Sequence, residues 1–249
     1  MTRAQFHKRI AALAVILLLP LLYLLLLRGP IPQDPAYHFL SDARTCLGIS
    51  NFGNVVSNLA FLLVGAVAWL WCRKRLHSGA RLSWTVFFLG VALVFVGSSY
   101  YHWSPNDDTL VWDRLPMTVA FMGLFAALVS EHLGPQFERP VLIPALVLGA
   151  ASVFWWRHTG DLRVYVWVQA APLLAIPFVL AMFRGHYTHR WYLLYGLGFY
   201  ALAKVLEFQD HETYALTSQI VSGHTLKHLV SALAPLCLYL MLRRRRAVV

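Results

Sequence analysis

Two stretches of the chain carry side chains suited to metal-assisted hydrolysis. The first is Gly97-Ser98-Ser99-Tyr100-Tyr101-His102, with Asp113 eleven residues after His102. The second is Ser222-Gly223-His224-Thr225-Leu226-Lys227-His228. Neutral imidazole is the commonest metal ligand, and a catalytic zinc centre uses three protein ligands and keeps a fourth position open. His102, His224 and His228 supply that number. Zinc lowers the pKa of its water from ~15.7 to ~7, so hydroxide is available at neutral pH. A nearby carboxylate can take the proton and return it to a leaving amine, a part open to Asp113. Ser98 can hydrogen-bond the water or the developing oxyanion.

These residues sit in or beside strongly apolar sequence, where ionisable groups are expensive and mark function by default. Of the 249 residues, 59% are hydrophobic and only 13% charged, which indicates a membrane protein. The formal net charge of +10 lies in short loops and at the C-terminus. It suits topology signals and anionic headgroups and gives no case for nucleic acid. Cys46, Cys72 and Cys237 form no C-x-x-C pair and suggest neither a disulfide framework nor a zinc finger.

The elements that must position the site are transmembrane helices. Apolar segments run at about 10–27, 54–72, 84–102, 111–130, 140–156, 163–183, 191–206 and 219–242. Each approaches the ~20 residues a helix needs to cross the hydrocarbon core, and none alternates like a barrel strand. The expected fold class is an all-α membrane protein: a seven-transmembrane-helix core bundle in residues 31–249, preceded by one additional N-terminal transmembrane helix within residues 1–30. The first segment is too long for a signal-peptide core and lacks an A-x-A-like cleavage site. Arg73, Lys74, Arg75 and Arg81, then Arg184 and Arg190, then Arg243 to Arg246 mark one side. With both termini cytoplasmic, all three basic clusters fall inside.

On this topology, Ser98 lies one turn deeper than His102 on the same face, and Asp113 lies in the first turns of the next helix. His224 and His228, at i and i+4, share one face near the outer end of the last helix. The five residues therefore meet at one depth toward the outer surface. Further polar residues accompany them. Asn54, Ser57 and Asn58 suit either helix packing or support of the site. Lys204 and Glu207 suit an internal ion pair, with Asp210 one turn later if the helix continues. They are candidates to support the site or bind substrate. Arg114 either lowers the pKa of Asp113 or reaches the surface.

Other metal chemistries fit less well. There is no H-E-x-x-H, and a di-iron desaturase needs several His boxes. A haem between His102 and His224 would leave Ser98 and Asp113 without a role.

The pattern S-x-x-x-H, then Asp, then H-x-x-x-H resembles the alkaline ceramidases and the superfamily they share with progestin and adipoQ receptors and haemolysin III-like proteins. Ser98, His102, Asp113, His224 and His228 carry it. Asn54-Val55-Val56-Ser57-Asn58 and Asp113-Arg114-Leu115-Pro116-Met117 resemble the ceramidase motifs N-x-V-S-N and D-E-L-P-M. The resemblance implies Zn2+, and hydrolysis of the amide of a ceramide-like membrane lipid to a fatty acid and a long-chain base. Arg114 departs from the motif's Glu. The acidic cluster that binds Ca2+ in animal relatives is poorly matched, with Asp42 as its one remnant and Asn51 where an acid is expected. Compact loops and a short basic tail suggest a prokaryotic member, and hence a bacterial inner membrane. The alternative within the superfamily is a lipid-sensing receptor-like protein with a structural zinc site.

Overall fold

In the computed structural model, which describes residues 2–248, the chain is helical and no β-strand occurs among the described residues. Helix α1 (Arg3–Leu22) begins at a Thr2–Gln5 capping box and ends in a π-helical turn, Tyr23–Leu27. A connection with a 3-10 turn at Pro35–His38 leads to α2 (Phe52–Val56) and α3 (Leu59–Arg75). Then come α4 (Arg81–Trp103), α5 (Asp107–Leu133), α6 (Glu138–Thr159) and α7 (Arg163–Met182). Helices α8 (Tyr192–Phe208), α9 (Asp210–Leu216) and α10 (Gly223–Arg244) complete the chain.

Among the described residues, seven stretches are long and apolar enough to cross a membrane: Arg3–Leu27, Phe52–Arg75, Arg81–Trp103, Asp107–Leu133, Pro135–Thr159, Arg163–Met182 and Gly223–Arg244. Helix α8 has 17 residues. At 1.5 Å per residue that is about 26 Å, a little under the ~30 Å hydrocarbon core.

The boundaries differ from the sequence reading where side chains compete for backbone. The apolar run at 54–72 is broken into α2 and α3, because Ser57 and Asn58 both donate to the carbonyl of Asn54. The run at 219–242 becomes helical only from Gly223, where the Ser222 hydroxyl accepts the Thr225 N–H as an N-cap. Asp210 does not continue α8; it starts α9. The basic residues Arg3, Lys8 and Arg9 lie on the first turns of α1.

Helices α4 and α5 form the centre of the bundle. Helix α3 packs on α4, α6 and α7 pack on α5, and α10 packs against α3 and α8. The approach of α4 and α5 is close because glycines face backbone. A Cβ on Gly97 would strike the carbonyl of Trp112, and one on Gly90 would strike the backbone of Ala120. Pro116 has no N–H, so the Trp112 carbonyl four residues earlier has no intrahelical donor. Gly97 fills the place beside that carbonyl. Ser98 and Asp113 are the next residues on each helix, so this contact sets them side by side. Helix α1 rests on α7, with the Trp167 indole donating to the Leu17 carbonyl at 2.7 Å and Arg163 donating to the carbonyls of Leu24, Leu25 and Arg28. The Arg163 bonds satisfy carbonyls that the end of this helix leaves open.

A Gly97→Ala variant is expected to lose about 1–3 kcal/mol by overpacking. Gly198→Ala, where nothing lies within 4 Å of the added carbon, is the control. Thermal unfolding in detergent should show a lower midpoint for the first and no loss for the second.

Candidate metal centre

His102 ends the buried face of α4, while His224 and His228 occupy the first two turns of α10. All three are buried. Their Nε2 atoms turn toward one another: His102 to His228 at 3.2 Å and His224 to His102 at 3.3 Å. One ligand atom from each lies within 4.8 Å of the others. Basic nitrogens held this close in a dry interior repel unless a proton or cation stands among them. Three imidazoles and no thiolate are a donor set that suits zinc.

Ser57 Oγ stands 2.8 Å from His228 Nδ1 and 3.1 Å from the Asn54 carbonyl. The hydroxyl donates to that carbonyl, so it accepts the Nδ1–H and leaves the Nε2 lone pair free. That is the role of the outer partner of a metal-binding imidazole. His102 Nδ1 is buried with no partner among the described residues.

The backbone around the trio is tied by residues far apart in sequence. Asn54 Oδ1 accepts from Ser222 Oγ and Thr225 Oγ1, while its Nδ2 donates to the Asp42 carbonyl at 3.1 Å. Asp210 Oδ1 accepts the His224 N–H at 2.7 Å, one of the open donors of the α10 N-terminus. Its Oδ2 accepts from the N–H and hydroxyl of Ser41. Asn51, in the left-handed conformation, donates to the His102 carbonyl at 2.8 Å. A carboxylate could not make that bond. Asn58 serves only the backbone of its own turn, and its Oδ1 has no partner among the described residues.

Ser98 and Asp113 are both buried. Asp113 is outside the ligand group. Both line a cavity of about 430 Å³ that also reaches His228. From this polar head the cavity runs between α4, α5, α7, α8 and α10 along apolar side chains such as Val91, Phe121, Ile176 and Leu238. At the head, Glu207 pairs with Lys204 and, at 3.1 Å, with Lys227, and takes the Tyr37 hydroxyl. Lys227 also reaches His224 Nε2 at 2.9 Å, so it is the nearest cation to the trio. The sequence reading assigned no role to Lys227, although its i+3 spacing from His224 was a usable signal. Tyr37 had no signal; it arrives on the 3-10 turn of a Pro-rich connection.

The remnant of a calcium site does not fit that ion. Arg44 grips both oxygens of Asp42, at 2.8 Å and 2.7 Å, and donates onward to the Ile220 carbonyl. The Arg44 hydrogen bonds hold the Asp42 carboxyl below its usual range.

The fold and site define a multi-pass helical membrane protein with a buried three-histidine group at the head of an apolar cavity. Residues 45–185, more than half of the chain, match the ceramidase family model. The chain belongs to the ceramidase family, whose reaction is hydrolysis of a lipid amide. Ser98, His102 and Asp113 fall inside the matched region, and His224 and His228 beyond it. Comparison with individual curated proteins gives no match.

Ser57→Ala should weaken zinc binding by about 10–100-fold, measured by chelator competition, because the Nδ1–H of His228 loses its acceptor. The Asp42–Arg44 pair predicts an acid-side effect. A carboxyl depressed in the folded state stabilises above its unfolded pKa of about 3.9 and loses that contribution as pH falls further. Arg44→Met should remove this acid-side slope from melting curves taken between about pH 2 and 5.

Proposed function

We propose that the chain is a zinc-dependent transmembrane amidase that hydrolyses the N-acyl bond of a ceramide-like lipid to a fatty acid and a long-chain base. The observation that carries this reading is the convergence of three histidine Nε2 atoms with Asp113 and Ser98 at the head of a cavity long and apolar enough to take an acyl chain. The proposed arrangement is a seven-helix core with α1 as an added crossing and α8 as a short one. Both termini are cytoplasmic, and the site faces the outer side of a bacterial inner membrane. The basic clusters at Arg73–Arg81, Arg184–Arg190 and Arg243–Arg246 support that orientation.

His102, His224 and His228 would hold the zinc ion, which when bound supplies Lewis acidity toward a carbonyl oxygen and lowers the pKa of water. Asp113 accepts the proton of the attacking water and delivers it to the leaving amine, so the amide plus one water becomes an acid and an amine. Ser98 holds the Asp113 carboxyl in place. Ser57 fixes the His228 tautomer, and Asp210 and Asn54 hold the start of α10. The apolar walls grip the acyl chain and keep bulk water from the reacting carbonyl.

Purified protein loaded with zinc should hydrolyse ceramides in a broad lipid panel. Asp113→Asn should lower kcat by about 10²–10⁴-fold with zinc content unchanged. His224→Ala should lose zinc by elemental analysis. Equal zinc in wild type and His224→Ala would overturn the metal site, and no hydrolysis of any acyl amide would overturn the amidase.

A further inference from the structure

Among the described residues, Arg114 is the one cavity-lining cation that forms no ion pair. It follows Asp113 on α5 and lines the same cavity, yet its side chain turns toward α6 and α7. Only 5% of it is exposed. Its guanidinium carbon lies over the Trp156 ring, 3.9 Å from the centroid, and over the Tyr165 ring at 4.7 Å. Nη2 donates to Gln33 Oε1 at 2.5 Å. Nη1 is buried and has no hydrogen-bond partner among the described residues. None of the ion pairs among those residues includes Arg114. The other two lining cations, Lys204 and Lys227, both pair with Glu207.

A desolvated guanidinium with an empty donor is costly for a fold to keep. The aromatic rings hold its plane fixed, and a fixed fork is the geometry that recognises carboxylate or phosphate oxygens. Gln33 and Tyr37 come from the connection before α2 that lines the outer, polar end of the cavity, opposite the apolar walls. A lipid whose chain occupies those walls would therefore present its headgroup to Arg114.

We propose that Arg114 is a specificity-determining residue that selects an amide lipid with an anionic group, a carboxylate or a phosphate, on its amine portion. The inference rests on the amidase reading for the position of the lipid. Arg114 touches the headgroup and takes no part in bond cleavage.

The test is equilibrium binding in detergent, read as tryptophan quenching by three amides that share one brominated acyl chain. They are a ceramide, its phosphate ester and an N-acyl amino acid. Asp113→Asn protein serves as the background, so binding is followed without turnover. At least one anionic lipid should bind about tenfold or more tighter than the ceramide, as a charge-assisted hydrogen bond warrants. Which anionic lipid gains identifies the group. Adding Arg114→Gln, or Arg114→Met if the first does not fold, should bring that ratio near one, and Arg114→Lys should keep most of it. Equal binding of all three lipids with Arg114 present would overturn the proposal. So would a preference that survives loss of the charge. Failure of zinc-loaded wild type to hydrolyse any amide would remove the amidase reading and leave these binding ratios to be judged on their own.

Discussion

Three imidazole nitrogens facing one another inside a bundle with an apolar exterior are the constraint on which the rest of this structure depends. Each ring loses its water on burial, and each lone pair then needs a proton or a cation. The chain meets that need by bringing α4 and the start of α10 together and by surrounding the rings with donors and acceptors. Asn51, Asn54 and Ser57 come from α2 and its caps and Asp210 from α9. Ser57 bonds a histidine ring, Asn51 and Asp210 bond the backbone that carries one, and Asn54 ties down the first turn of α10. The polar side chains of the membrane interior are thus concentrated at one head, and the remaining helix length is left to apolar packing.

The contact of Gly97 with the Trp112 carbonyl is the backbone counterpart of this arrangement. Pro116 removes the donor that would have satisfied that carbonyl, and the absence of a side chain at 97 lets the neighbouring helix close on it. Ser98 and Asp113 then share a wall without direct help from any loop. The same close packing on one side of α5 leaves space on the other, where the cavity opens toward α7 and α8. Site and cavity are consequences of one packing pattern.

Cations take over parts that acids or ions might otherwise play. Arg44 occupies both oxygens of Asp42 and links the connection before α2 to the loop before α10. Lys227 stands against His224 and is balanced by Glu207. Arg114 stands where the motif has an acid and is held against the Trp156 and Tyr165 rings. The chemistry of lipid-amide hydrolysis is thereby set in a more basic surrounding than the motif alone suggests.

Much was legible in the sequence because lipid imposes simple rules. Only helices and closed barrels satisfy their backbone in hydrocarbon, so continuous apolar runs of helical length announced an all-helical membrane fold. Ionisable residues are rare there, so the spacing of His102, Asp113, His224 and His228 stood out and indicated one depth. What sequence could not decide was lateral. Depth follows from position along a helix, but which helices touch, and through which face, depends on side-chain packing between distant segments. The tertiary structure alone put Ser57 on His228 and set Asp210 on a new helix to cap His224. It also buried Arg114 against Trp156 and opened the cavity. These are contacts between residues up to about 170 positions apart, and no local period or spacing encodes them.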